Sequence, residues 1–140
     1  MNPLADPASS STDALFRTGN QILDDQHLQI LRNIRSLIQS MGGPFPLDTL
    51  EARLSQIEAL AFDHFRDEEG LMELSRYPNL PVHRAEHELI VERYHDMAIR
   101  YAEPGSKPLT TMLEECLEIF DYHIQKIDMD FVNYLKDPAR

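Results

Sequence analysis

The sequence predicts an all-α chain folded as an up-down-up-down antiparallel four-helix bundle with an extended N-terminal arm. Three observations carry this expectation. Four stretches repeat apolar residues at helical spacing, the breaks between them are short and rich in proline and glycine, and no stretch sustains strand-like alternation. Short connections favour antiparallel neighbours, which gives the up-down order.

Residues 1–19, rich in Ser, Pro, Asp and Thr, read as the arm, with Leu15 and Phe16 able to pack back on the domain. The bundle itself is expected over residues 20–136, followed by a short tail at 137–140. In the first helix Leu23, Ile30, Leu31, Ile34, Leu37, Ile38 and Met41 recur at helical spacing until Gly42-Gly43-Pro44-Phe45-Pro46 stops it. Asp48 with Glu51 three residues on has the form of a capping box and is expected to start the second helix. Its stripe runs Leu50, Leu54, Ile57, Ala61, His64, Glu68 and Leu71, ending near Arg76 before Tyr77-Pro78. Pro81 suits the first turn of a third helix, with His83, His87, Ile90, Tyr94, Met97 and Tyr101 on one face. After the break at Pro104-Gly105-Ser106-Lys107-Pro108, a fourth stripe runs from Leu109 through Leu113, Cys116, Phe120, His123, Ile127 and Phe131 to Tyr134.

The totals exclude several functions. With 13 basic and 24 acidic residues the formal charge is −11, which repels phosphate backbones and argues against nucleic-acid binding. No apolar run approaches the roughly 18 to 20 residues of a membrane span. The opening residues lack the basic and apolar regions of a secretory signal, so the cytoplasm is the expected compartment. The single Cys116 cannot form an internal disulfide, which agrees with a reducing environment. Glycine-rich phosphate loops, a nucleophile elbow and CxxC pairs are absent.

What a bundle core does not ask for is charge, yet His27, His64, Glu68, His83, His87 and His123 occupy or adjoin the inward stripes. Burying so many ionisable groups is costly unless something binds them. His64 with Glu68, and His83 with His87, are four residues apart, so each pair points to one side of its helix. Heights agree as well. At about 1.5 Å rise per residue, His27 lies ~10 Å into the first helix, and His64 and Glu68 roughly 12 to 18 Å before the end of the second. His83 and His87 lie about 3 to 9 Å into the third, and His123 and Asp128 roughly 12 to 20 Å before the end of the fourth. In an antiparallel bundle these positions form one layer. Asp128 follows His123 by five residues, ~140° around an ideal helix, so its participation requires a local π-type widening.

Imidazole suits zinc, copper, iron or nickel, and cysteine is missing from the cluster. Five histidines and two carboxylates exceed one tetrahedral zinc site; two carboxylate-bridged metals fit better. The ferritin-like di-iron pattern draws a Glu-x-x-His pair from each of two helices, which these inward stripes do not offer.

From about Phe16 to Tyr134 the chain resembles the hemerythrin family, and within it the single-domain bacterial members. The resemblance rests on Asp25-Gln26-His27, His64-Phe65-x-x-Glu68-Glu69, Tyr77-Pro78-x4-His83-x-x-x-His87 and His123-Ile124-x-x-x-Asp128, all in order. It implies one iron held by His83, His87 and His123 and a second held by His27 and His64. Glu68, Asp128 and an oxo or hydroxo group would bridge the two Fe ions. About eleven of twelve octahedral positions are then filled, and the vacancy on the two-histidine iron is where O2 is expected as ligand. The implied O2 pocket comprises Ile30, Phe65, Ile119, Phe120, Ile124 and Ile127. This chain has no Trp, and Phe16, Ile119 and Phe120 stand in neighbourhoods where the family often carries one. His95 is assigned no metal, Glu69 is expected at solvent or beside a ligand, and Cys116 reads as core.

The resemblance implies a non-enzymatic protein that binds O2 reversibly for carriage, storage or delivery. The alternatives are an O2- or redox-sensing module and a di-iron oxidase or peroxidase.

Overall fold

In a computed structural model, residues 18–137 of the 140-residue chain are described. Four helical rods pack side by side. They are α1 (Gln21–Ser40), α2 (Leu47–Leu74), α3 (Leu80–Arg100), and a fourth rod made of α4 (Leu109–Tyr122), a π-helical segment (His123–Asp128) and α5 (Met129–Lys136). α1 packs on α2 and α4, and α3 packs on the same two, so the rods form a square of neighbours. No strand occurs among the described residues. No described helix is long and apolar enough to cross a membrane.

The ends of the rods follow from local chemistry. Asn20 caps α1, its Oδ1 accepting the Leu23 N–H at 3.1 Å. Just before it, the buried Asp24 carboxylate accepts the Thr18 N–H (2.6 Å), the Thr18 hydroxyl (2.8 Å) and the Gly19 N–H (3.1 Å), tying the last residues of the arm to the first turn. The rest of the arm, including Leu15 and Phe16, lies outside the described residues.

The expected capping box of Asp48 and Glu51 does not form. Pro46, with φ −61°, occupies the cap position and its carbonyl accepts the Leu50 N–H at 3.0 Å, so α2 begins one residue before Asp48. Asp48 sits inside the first turn, where its charge favours the helix dipole. At the far end α2 stops at Leu74. Arg76 turns into the left-handed region (φ 55°), the Arg76 N–H bonds Glu73 O at 3.1 Å and the Tyr77 N–H bonds Met72 O at 2.9 Å. That is a Schellman closure with arginine in the place glycine usually takes. The Tyr134 hydroxyl donates to Ser75 O at 2.7 Å and holds this turn against the fourth rod. Pro81 then enters the first turn of α3, as its missing N–H allows.

The apolar interior falls into two parts. The larger contains Ile34, Leu37, Leu54, Ile57, Tyr94, Met97 and Leu113. The smaller contains Leu23, Met72, Tyr77 and Phe131, towards the α2–α3 turn. The polar layer formed by His27, His64, His83, His87 and His123 lies between them.

Candidate metal centre

All five histidines named above, with Glu68 and Asp128, are no more than 2 % exposed. The i to i+4 spacing aims His64 and Glu68 inward from α2, and His83 and His87 inward from α3. His27 comes from α1 and His123 from the start of the π segment. Asp128 closes that segment: i to i+5 bonding brings residues five apart to one side, so the widening anticipated from the spacing turns Asp128 into the core.

The seven residues form two overlapping groups. In one, Glu68, His83, His87, His123 and Asp128 offer ligand atoms all within 4.8 Å of one another; in the other, His27, His64, Glu68 and Asp128 do so. Both carboxylates belong to both groups. Asp128 Oδ1 lies 2.9 Å from the Nε2 atoms of His83 and of His123, while its Oδ2 lies 3.0 Å from His27 Nε2. Glu68 Oε1 lies 2.8 Å from His83 Nε2, and Oε2 lies 3.6 Å from His64 Nε2.

As a purely protein interior this arrangement is unsatisfied. His27 Nε2, His64 Nε2, Glu68 Oε2 and both Asp128 oxygens are buried without a hydrogen bond, a situation that costs free energy unless a ligand completes it. His87 Nε2 and His123 Nε2 face each other at 3.0 Å. Nitrogen and oxygen lone pairs converging from four helices suit cations that accept mixed imidazole and carboxylate donors.

Electrostatics divides the set. Burial, then His27, pulls His64 down to about 3. Burial likewise brings His87 down to about 4, against the opposing pull of Glu68. Burial also disfavours charge on His83, but the Asp128 and Glu68 carboxylates beside its Nε2 outweigh it and push His83 up to about 9. Burial would raise Asp128, yet its contacts with His123, His27 and His83 hold it well below the usual carboxylate range. His64 and His87 therefore stand neutral and ready to donate a lone pair at neutral pH, while His83 carries a proton that a cation must displace.

Two outer partners set ring orientation. His87 Nδ1–H donates to Glu69 Oε2 at 2.8 Å, and Arg84 Nε–H donates to Glu69 Oε1 at 2.8 Å. His64 Nδ1–H donates to Gln26 Oε1 at 2.7 Å, and Gln26 Nε2 donates to Asp67 Oδ2 at 2.9 Å. Each bond directs Nε2 inward, towards the other ligand atoms. Glu69 thus stands beside a ligand, one of the two places expected for it, whereas Gln26 backs a ligand without having been expected to. Its signal was adjacency to His27 in a shared motif, but its partner is on another helix. His95 lies outside the cluster, with Nδ1 3.0 Å from Glu58.

Around the layer, Phe65 stacks on His87 at 4.0 Å with a 12° interplanar angle, and Phe120 meets His27 edge-on at 5.8 Å. Ile30, Phe65, Ile119 and Phe120 line one small cavity of about 40 Å³. Ile124 is buried in the same core, whereas Ile127 is half-buried and is not among the residues lining that cavity.

Comparison with known proteins agrees with this geometry. The family model described as the hemerythrin HHE cation binding domain matches residues 18–135. A myohemerythrin from Sipunculus nudus is 27 % identical, over 92 % of this chain and 94 % of its own length. A bacteriohemerythrin from Pseudomonas aeruginosa is 30 % identical, over 86 % of this chain and 78 % of its own length. No solved structure matches significantly. With the matched span covering α1 through α5 and every inward histidine, the chain belongs to the hemerythrin HHE cation-binding domain family.

Proposed function

We propose that this chain holds a pair of iron ions and takes up O2 reversibly, for carriage, storage or delivery of the gas. The observation that carries the reading is the sharing of Glu68 and Asp128 between a three-histidine group and a two-histidine group. Carboxylates placed between two donor sets are suited to bridging two cations. His83, His87 and His123 would hold one iron, and His27 and His64 the other. When bound, the iron pair supplies the electrons that reversible O2 binding draws on.

The chain's own residues do the rest. The smaller donor set around His27 and His64 leaves room for a small ligand. Phe120 and Ile30 beside it are buried and apolar, which keeps water from the reacting centre. Gln26 and Glu69 hold the tautomers of His64 and His87.

The test is anaerobic loading with Fe(II), an iron assay, and repeated cycles of O2 and argon followed by visible spectroscopy. Iron near two per chain and a spectrum that appears with O2 and disappears under argon are the expected results. Irreversible O2 consumption with release of peroxide or water overturns the carrier reading, and a folded chain that takes up no iron overturns the metal assignment too.

A further inference from the structure

The cavity of about 40 Å³ extends well away from the metal-binding layer. Its lining falls into two tiers that the numbering makes plain. Ile30, Ala61, Ile90 and Phe120 each lie three residues from His27, His64, His87 and His123, one helical turn, and all four displacements run towards the same end of the bundle. Ile34, Ile57, Tyr94 and Cys116 each lie seven residues from those same histidines, about 10 Å along the rods. The void has a simple cause. Ala61 in the nearer tier and Cys116 in the farther one are small, and their large neighbours do not close the space they leave.

The space is large enough for a water molecule but is lined almost wholly by apolar groups, with the charged Glu58 and the exposed Arg93 the exceptions. A buried water needs two to four polar partners. Here the Tyr94 hydroxyl already donates to Leu54 O at 2.7 Å, and the Cys116 thiol lies 4.0 Å from Met97 Sδ. Glu58, at the margin, is engaged with His95. A dry apolar void of this size favours a small uncharged gas molecule. Access is one side chain thick on both flanks of α3. Phe65 and Val91 also line an open groove between α2 and α3, and Ile90 and Ile119 also line one between α3 and α4.

We infer that this cavity, centred between the tier of Ile30 and the tier of Cys116, is a docking site where an apolar diatomic gas pauses between solvent and the metal-binding layer. The inference rests on the O2-binding reading for the identity of the gas, and on the cavity alone for the site.

Xenon is the probe for the site itself, titrated by 129Xe NMR into the metal-free and the iron-loaded protein. One saturable site is expected in both. Cys116→Leu fills the farther tier and should weaken xenon binding by at least about tenfold, while Ile57→Val enlarges the void and should strengthen it. Circular dichroism and iron content confirm that each variant folds. Absence of saturable xenon binding, or affinity indifferent to both substitutions, overturns the docking site. Stopped-flow mixing with O2 then tests the path. In Cys116→Leu the O2 association and dissociation rates should fall by a common factor while equilibrium affinity holds. Unchanged rates, or a change in affinity without a matched change in both rates, overturn the role in the path. If wild-type protein binds xenon but not O2, the O2-binding reading fails and the docking site for apolar gas stands.

Discussion

Glu69 offers a quantitative test of how the metal-binding layer is built. Its carboxylate takes two donors at 2.8 Å, His87 Nδ1–H on one oxygen and Arg84 Nε–H on the other. Glu69→Gln leaves one oxygen for two donors. The His87 ring is 2 % exposed, whereas Arg84 is 46 % exposed and can rehydrate. The amide oxygen should therefore turn to His87 and its NH2 to Arg84, keeping the ring oriented and losing only the negative charge behind it. Outer partners of this kind are worth about 10- to 100-fold in metal affinity, so Gln should fall near the tenfold end. Glu69→Ala removes the Nδ1–H partner together with the charge, and should approach about hundredfold. Anaerobic competition for Fe(II) against a chromophoric chelator measures both, with thermal unfolding of the metal-free variants as the control for folding. Wild-type affinity in both variants, or a larger loss for Gln than for Ala, refutes the reasoning.

Three further outcomes are expected. His83 is pushed up to about 9, so below that pH its proton must leave before Nε2 can take a cation; at pH 7 loading should release about one proton from this residue and affinity should climb with pH up to about 9. His64 and His87, at about 3 and 4, contribute none of that dependence near neutrality, and a flat affinity between about pH 6 and 9 contradicts the picture. Asp24→Ala orphans the buried Thr18 N–H and hydroxyl and should cost about 1–3 kcal/mol in urea unfolding; a loss below about 0.5 kcal/mol argues that Thr18 and Gly19 are held by other contacts. Burial pushes the Cys116 thiol from 9.0 up to about 11, so iodoacetamide should modify the folded chain about a hundredfold more slowly than the urea-unfolded chain at pH 8, and equal rates show the thiol to be accessible and unshifted.

The four rods were legible because periodicity and helix breakers act locally. Pro81 and the Gly42–Pro46 break act where their missing donors and backbone freedom dictate. The Asp48–Glu51 signature was misleading for an equally local reason: Pro46 had already fixed the entry to α2. Histidine spacing was legible in the same way, since residues four apart share a face and rise per residue sets their height.

The sequence by itself determined which side chains point inward, and at what level, on each rod, because those quantities depend only on position within one helix. Tertiary structure alone decided what lies across the gaps: that both Asp128 and Glu68 stand between the two histidine groups, that Gln26 backs His64 while Glu69 backs His87, and that Ala61 and Cys116 together leave a void. Distances between rods are set by how whole faces of side chains interlock, and no single helix carries that information.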